Sequence, residues 1–146
     1  MYTEQVTQAA GITASVPPQI VNNATKTTGG IDMQLFRRAF AILEIGAVTG
    51  GGTISAKWQE STDNSSYSDL ANGLANISLT GLTTANKQYT FEVRAGQITK
   101  RYVRLSFTEG GSQNVQCCAV AFGMECDHKP GNLQNDSSVT TQNVAA

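Results

Sequence analysis

Three cysteines and one histidine are the chain's stock of soft metal ligands. A zinc site would have to be built from Cys118, Cys126 and His128. Structural zinc asks for four ligands, usually with paired C-x-x-C spacing. Here Cys117 and Cys118 are adjacent and project to opposite faces of a strand. The expectation is reduced thiols packed as small apolar residues, with neither a metal nor any other cofactor. Nucleophilic hydrolysis needs a base beside Ser or Cys, yet His128 is the single histidine and no Gly-x-Ser-x-Gly elbow is present. Asp63 and Asp69 are the nearest approach to a glycosidase carboxylate pair, and with Asn64 to a calcium site. They lie in the polar loop centred on Ser61-Thr62-Asp63-Asn64-Ser65-Ser66, a composition that bonds to its own backbone and makes turns, and the spacing is not that of an EF-hand. Gly50-Gly51-Gly52 lacks the following Lys-Ser/Thr of a phosphate cradle and reads as a turn needing positive φ. The chain is expected not to be an enzyme.

Charge argues the same way. Charged residues make up 14% of the 146 residues and the net charge is -1, so no field draws the protein to nucleic acid or an anionic membrane. Arg37, Arg38, Arg94, Lys100, Arg101 and Arg104 are interspersed with Glu44, Glu60 and Glu92, the pattern of a solvated face or of protein–protein ion pairs. No apolar run approaches the roughly 18 residues of a membrane span. Met1-Tyr2-Thr3-Glu4-Gln5 lacks the basic and apolar regions of a signal peptide, so synthesis in a cytoplasm is expected. A surface rich in Ser, Thr, Asn, Gln and Gly suits a protein packed among copies or partners.

The elements that would position any site are strands. Ile54, Ala56 and Trp58 alternate with Ser55, Lys57 and Gln59. Tyr89, Phe91 and Val93 alternate with Thr90, Glu92 and Arg94. Side chains on a strand point to opposite faces in turn, so each run buries one face and wets the other. Val103, Leu105 and Phe107 continue the pattern inward. Two matched hairpins are predicted: Phe36 to Glu60 turning at Thr49-Gly50-Gly51-Gly52, and Lys87 to Thr108 turning near Gly96. Phe36 to Val48 is apolar on both faces, with Phe40 and Ile42 on one and Leu43 and Ile45 on the other; such a strand is central or lies under an arm or partner. In the last strand, Asn114 to Met124, Cys118, Val120, Phe122 and Met124 share one face. Cys117, Ala119 and Ala121 share the other, where small residues allow another backbone to come close. Leu70 to Leu82 fits a short strand or a helical turn equally.

The predicted organisation is an extended N-terminal arm (1–30), a β-sandwich (31–126) and a polar C-terminal tail (127–146). Pro17 and Pro18 stiffen the arm, although an edge strand around Gln19 to Asn22 is an alternative. The tail has too little apolar area to order except against a partner. The fold class is all-β, an antiparallel sandwich of jelly-roll type.

Two resemblances bear on this. Trp58 to Leu70 and Arg101-Tyr102-Val103-Arg104-Leu105 resemble strands of discoidin-like, galactose-binding-like jelly rolls. Thr28 to Met33, Phe36-Arg37-Arg38, Ile45 to Thr53 and Gln59 to Asp63 are similar to small structural proteins of tailed bacteriophages, including capsid decoration (cement) proteins. The second resemblance implies a virion protein made in the host cytoplasm that binds the capsid exterior and clamps the major capsid protein. A homo-oligomer is expected, with Val16, Pro17, Pro18, Ile20, Arg37 and Arg38 as partner contacts and the two-faced strand and the tail as further contact regions. A carbohydrate-binding or fibre-type host-recognition domain is the alternative, with Tyr67, Tyr89 and Tyr102 as its aromatic stock for glycan.

Overall fold

A computed structural model of the chain describes residues 6–70, 77–79, 85–127 and 131–140. After one helical turn, α1 (Val6–Ala9), the described chain is built of strands: β1 (Ala10–Val21), β2 (Thr25–Thr27), β3 (Ile31–Asp32), β4 (Phe36–Val48), β5 (Ile54–Ser61), β6 (Ser68–Asp69), β7 (Ile77–Leu79), β8 (Lys87–Arg94), β9 (Tyr102–Glu109) and β10 (Val115–Cys126). They form two antiparallel sheets. The first has the order β1-β10-β4-β8; the second runs β2-β9-β5-β6, with β3 also on β9 and β7 also on β5. The short pairs β2/β3 and β6/β7 each share one partner strand. Counted as single positions, they leave eight strands that swap sheets in the order of a jelly roll.

The inward residues are those that alternation selects. Ile54, Ala56, Trp58, Phe91, Val93, Val103, Leu105 and Phe107 are all buried. The small face of β10 also points inward: Cys117, Ala119 and Ala121 are buried, and a side chain at Gly123 would overlap the Phe36 ring. The close approach that small residues permit is therefore made by the opposite sheet and by Phe36.

Two buried carboxylates fix the ends of the second sheet. Glu60 accepts hydrogen bonds from Thr99 N (2.8 Å) and Thr99 Oγ1 (2.7 Å), securing the β8–β9 connection. Glu109 accepts from Asn23 N (2.6 Å) and Gly111 N (2.8 Å), tying the β1–β2 and β9–β10 connections together.

The two predicted hairpins are corrected. Their strands exist, but β4 pairs with β8 and β5 pairs with β9, so each expected turn crosses between sheets. Thr49 to Thr53 is an arch, and only Gly50 in it has positive φ (69°). Five extended residues reach about 16 Å, enough to cross the roughly 10 Å between packed sheets. The 3-10 turn Ala95–Gln97 makes the second crossing.

The extended arm is also corrected. Ala14, Val16 and Val21 are buried in the core, and β1 is a full strand on β10. It tolerates Pro17 and Pro18 because it is an edge, and the register shifts between Val16 and Gln19 at those prolines. The tail does not wait for a partner over its described part. Asp136 N donates to Ile12 O (2.6 Å) and Ile12 N donates to Asn135 Oδ1 (2.9 Å), so the tail covers the outer edge of β1 there. Leu70 is buried and its N–H bonds to Trp58 O (3.2 Å); within the Leu70 to Leu82 run Ile77–Leu79 is a strand, and residues 71–76 and 80–84 lie outside the described residues.

Candidate functional site: the outer face of the first sheet

Because β10 turns its small residues inward, its bulky ones face out. The register sets them in rows with their neighbours. Ile12, Phe122 and Phe40 lie side by side across β1, β10 and β4, and Val120 lies beside Ile42. The Phe40 and Phe122 ring centroids are 6.2 Å apart at 38°, a tilted contact. With Met124, these side chains form an apolar patch in which each residue is half-buried by the next and open to solvent above. The signal for it was in the sequence: a strand apolar on both faces must have one face covered by something other than its own core.

Charge borders the patch at one end. Arg38 bridges Glu92 (3.2 Å) and Glu125 (2.9 Å), and Arg94 also reaches Glu92 (3.2 Å). Arg37 bonds Asp127 (2.7 Å) beyond them. At the other end Gln88 Nε2 donates to Glu44 Oε1 (2.9 Å) and Cys118 Sγ lies 3.7 Å from Glu44 Oε2. Burial, with the nearby Glu44 charge, pushes the Cys118 thiol up from its ordinary pKa. Cys117, on the inner face, is pushed to about 11 by burial, with the neighbouring Cys118 adding to it.

The residues predicted as partner contacts separate into three groups. Val16 is buried in the core and is corrected: it has no surface to offer. Pro17, Pro18 and Ile20 are exposed along the β1 edge, Ile20 at 61%. Arg37 and Arg38 sit at the opposite end of the sheet, since Arg38 pairs with Met124 while Ile20 pairs with Gln116. The apolar patch lies between these two groups. Ile12, Val120, Phe122 and Met124 were not among the predicted contacts.

The outer face of the second sheet is polar and internally satisfied. Lys57 and Gln59 both bond Asp69, and Gln59 also accepts from Arg104. Arg101 forms a forked pair with Asp32. The Arg104 guanidinium stacks 3.9 Å over the Tyr67 ring, and that of Arg101 4.9 Å over Tyr102. Tyr89 belongs to the other sheet and packs against the core. The three tyrosines therefore do not assemble into one platform. The calcium reading loses its ligands to loop closure. Asp63 accepts from Ser61 Oγ and the Ser65 and Ser66 N–H groups, led by Ser66, which hold its pKa down to about 2. Asn64 Oδ1 accepts from the Tyr67 hydroxyl, and Asp69 is held by Lys57 and Gln59. Cys118 and Cys126 are separated by eight strand positions, about 26 Å along β10; His128 lies outside the described residues. Among the described residues no cluster of three or more His, Cys, Asp or Glu side chains is placed to hold a metal ion. No helix among them is long and apolar enough to cross a membrane.

No protein-family model matches the chain, and no curated protein sequence does either. Solved structures do resemble it in shape. A chain of the infectious bursal disease virus Gt strain superposes with a TM-score of 0.51 at 14% identity, over 84% of this chain and 32% of that one. A pilus protein of Bacillus endospore appendages gives 0.44 at 11% identity, over 85% and 94% of the two chains. The C-terminal carbohydrate-binding module of a laminarinase from Zobellia galactanivorans gives 0.36 at 12%, over 73% and 89%. Of these three, the viral chain is near enough in shape to bear on the fold, and this protein spans about a third of its length. The likeness is one of fold: an all-β antiparallel sandwich.

Proposed function

We propose that this protein is a virion structural protein, a decoration protein that binds the outside of a tailed-phage capsid and clamps its major capsid protein. The observation that carries this reading is the apolar outer face of the first sheet, where Ile12, Phe40, Ile42, Val120, Phe122 and Met124 share one surface. A sandwich needs only its inner faces apolar. A second apolar face is the kind of surface that protein–protein contacts cover. The low charge, the resemblance to phage structural proteins and a sandwich fold shared with a viral chain support the same reading. The role needs no catalysis. Each docked copy lowers the free energy of the shell relative to its free parts, and many copies make a modest site affinity sufficient. Pro17, Pro18 and Ile20 on the β1 edge and Arg37 and Arg38 at the far end flank the docking face, where neighbouring copies or capsid subunits would meet it.

The experiment is co-sedimentation of the full chain with shells assembled without it. Saturable binding at a fixed number of copies per shell is expected. No co-sedimentation at a large molar excess would contradict the reading.

A further inference from the structure

The same sheet carries a second feature that docking on a shell does not require. An open groove of about 610 Å³ crosses all four strands near Gly46, at the end of the sheet away from Arg38. That volume is within the roughly 300–1,000 Å³ range of small-ligand sites. Its origin is local. The register shifts in β1 between Val16 and Gln19 and in β10 between Val115 and Cys117. Such irregularities re-aim side chains and recur beside binding sites. On β4, opposite the shift in β10, Gly46 contributes no side chain, and the Gln116 side chain lies 3.4 Å from where its Cβ would be.

Four of the residues lining this trough, Gln19, Asn86, Gln88 and Gln116, are carboxamides. Gln88 Nε2 is oriented by Glu44 Oε1 at 2.9 Å. The side chains of Asn86, Lys87 and Gln116 have no hydrogen-bond or ion-pair partner among the described residues. Each carboxamide presents a donor pair and an acceptor, the combination that adjacent hydroxyls of a sugar ring satisfy. Lys87 and Glu44 offset one another, so the groove has no preference for an anion. Added β-strands bind through free backbone edges, and β4 and β10 at the middle of the groove are paired on both sides, so an extended peptide lying across the face has no ladder to join there.

We propose that this groove is a glycan-binding site that takes a neutral oligosaccharide laid across the strands. Recognition rests on hydrogen bonds, since the described lining holds no aromatic ring for stacking. Weak binding follows, with a Kd on the order of 1 mM.

The test is titration of the full chain with cellohexaose, laminarihexaose, xylohexaose and maltohexaose, followed by amide chemical shifts. At least one should saturate, moving Asn86, Gln88 and Gln116 together. Gly46 does not need the left-handed backbone region, so Gly46→Leu fills the trough without backbone strain. Gly46→Leu and Gln116→Ala should each weaken binding by about tenfold or more. If Gly46→Leu lowers the melting temperature, Gln116→Ala decides alone. The proposal is overturned if none of the four hexasaccharides binds at about 10 mM, or if binding survives Gln116→Ala unchanged.

Discussion

Glu109 is a fully buried carboxylate whose removal should loosen one whole end of the sandwich. Its Oε2 accepts from Asn23 N at 2.6 Å, and its Oε1 accepts from Gly111 N at 2.8 Å and more weakly from Gln113 N at 3.4 Å. Burial works against the ionised form, yet the backbone N–H groups of Asn23, Gly111, Gln113 and Thr53 outweigh it and hold the pKa below its ordinary 4.5. Glu109→Ala leaves two strongly held amides without their acceptor. A hydrogen bond to a charged group contributes about 1.5–3 kcal/mol, so with some water entering the gap the loss should be about 3–5 kcal/mol. Glu109→Gln keeps the shape but turns one acceptor into a donor, for about 1.5–3 kcal/mol. Urea unfolding at pH 7 measures both. The pH dependence follows from the sign of the shift. A carboxylate with a depressed folded-state pKa stabilises the fold above the unfolded-state value, near 4.5, and that contribution is lost as pH falls through the folded-state pKa. Asp32, Glu60, Asp63 and Asp69 are shifted the same way, so the informative quantity is the difference between wild type and Glu109→Gln. It should shrink as pH drops below 4.5. Equal stability of the two proteins at pH 7, or a gap that widens in acid, would refute the assignment.

Other outcomes follow from the same packing. Trp58→Ala should destabilise by about 3–5 kcal/mol through a cavity at the centre of the second sheet, whereas Lys57→Ala, which gives up an exposed pair with Asp69, should cost less than about 1 kcal/mol in the same denaturant melts. Deleting residues 1–30 should unfold the free protein, because β1 carries Ala14, Val16 and Val21 into the core, and circular dichroism of the truncated chain reads this directly. Deleting residues 131–146 should leave a cooperative melt at a lower temperature. At pH 8 the buried Cys117 thiol should resist a disulfide reagent in the native state, with all three cysteines reacting once the protein is unfolded; equal rates in both states would contradict its placement.

Faces were legible in the sequence and partners were not. Alternation at Ile54-Ala56-Trp58 and at Val103-Leu105-Phe107 fixes which side chains are buried, and all six are. The same alternation is silent on which strand lies beside which, so a Gly-rich connection after an apolar strand reads as a hairpin when it is an arch between sheets. The edge strand considered around Gln19 to Asn22 caught only the end of β1, whose Ala10–Val21 span was masked by Pro17 and Pro18, which argue against a central strand and are compatible with an edge. The tail was hidden because it attaches through backbone groups of Ile12 and the Asn135 side chain, leaving no apolar pattern to detect. The apolar outer face was half visible. Phe40 and Ile42 marked β4 as needing a cover, but only the register of β10 shows that Val120 and Phe122 extend the same surface.

The central claim is that this surface meets the capsid. The most direct measurement compares shell occupancy for the full chain, for Val120→Lys in the middle of the patch, and for Ser55→Lys on the exposed face of the other sheet. All three proteins should melt within a few degrees of one another. The account predicts that Val120→Lys loses at least about tenfold in affinity for shells, because a charge must be desolvated in an apolar seam, while Ser55→Lys binds as the unmodified chain does. Full binding by Val120→Lys, or equal loss in both variants, would contradict it.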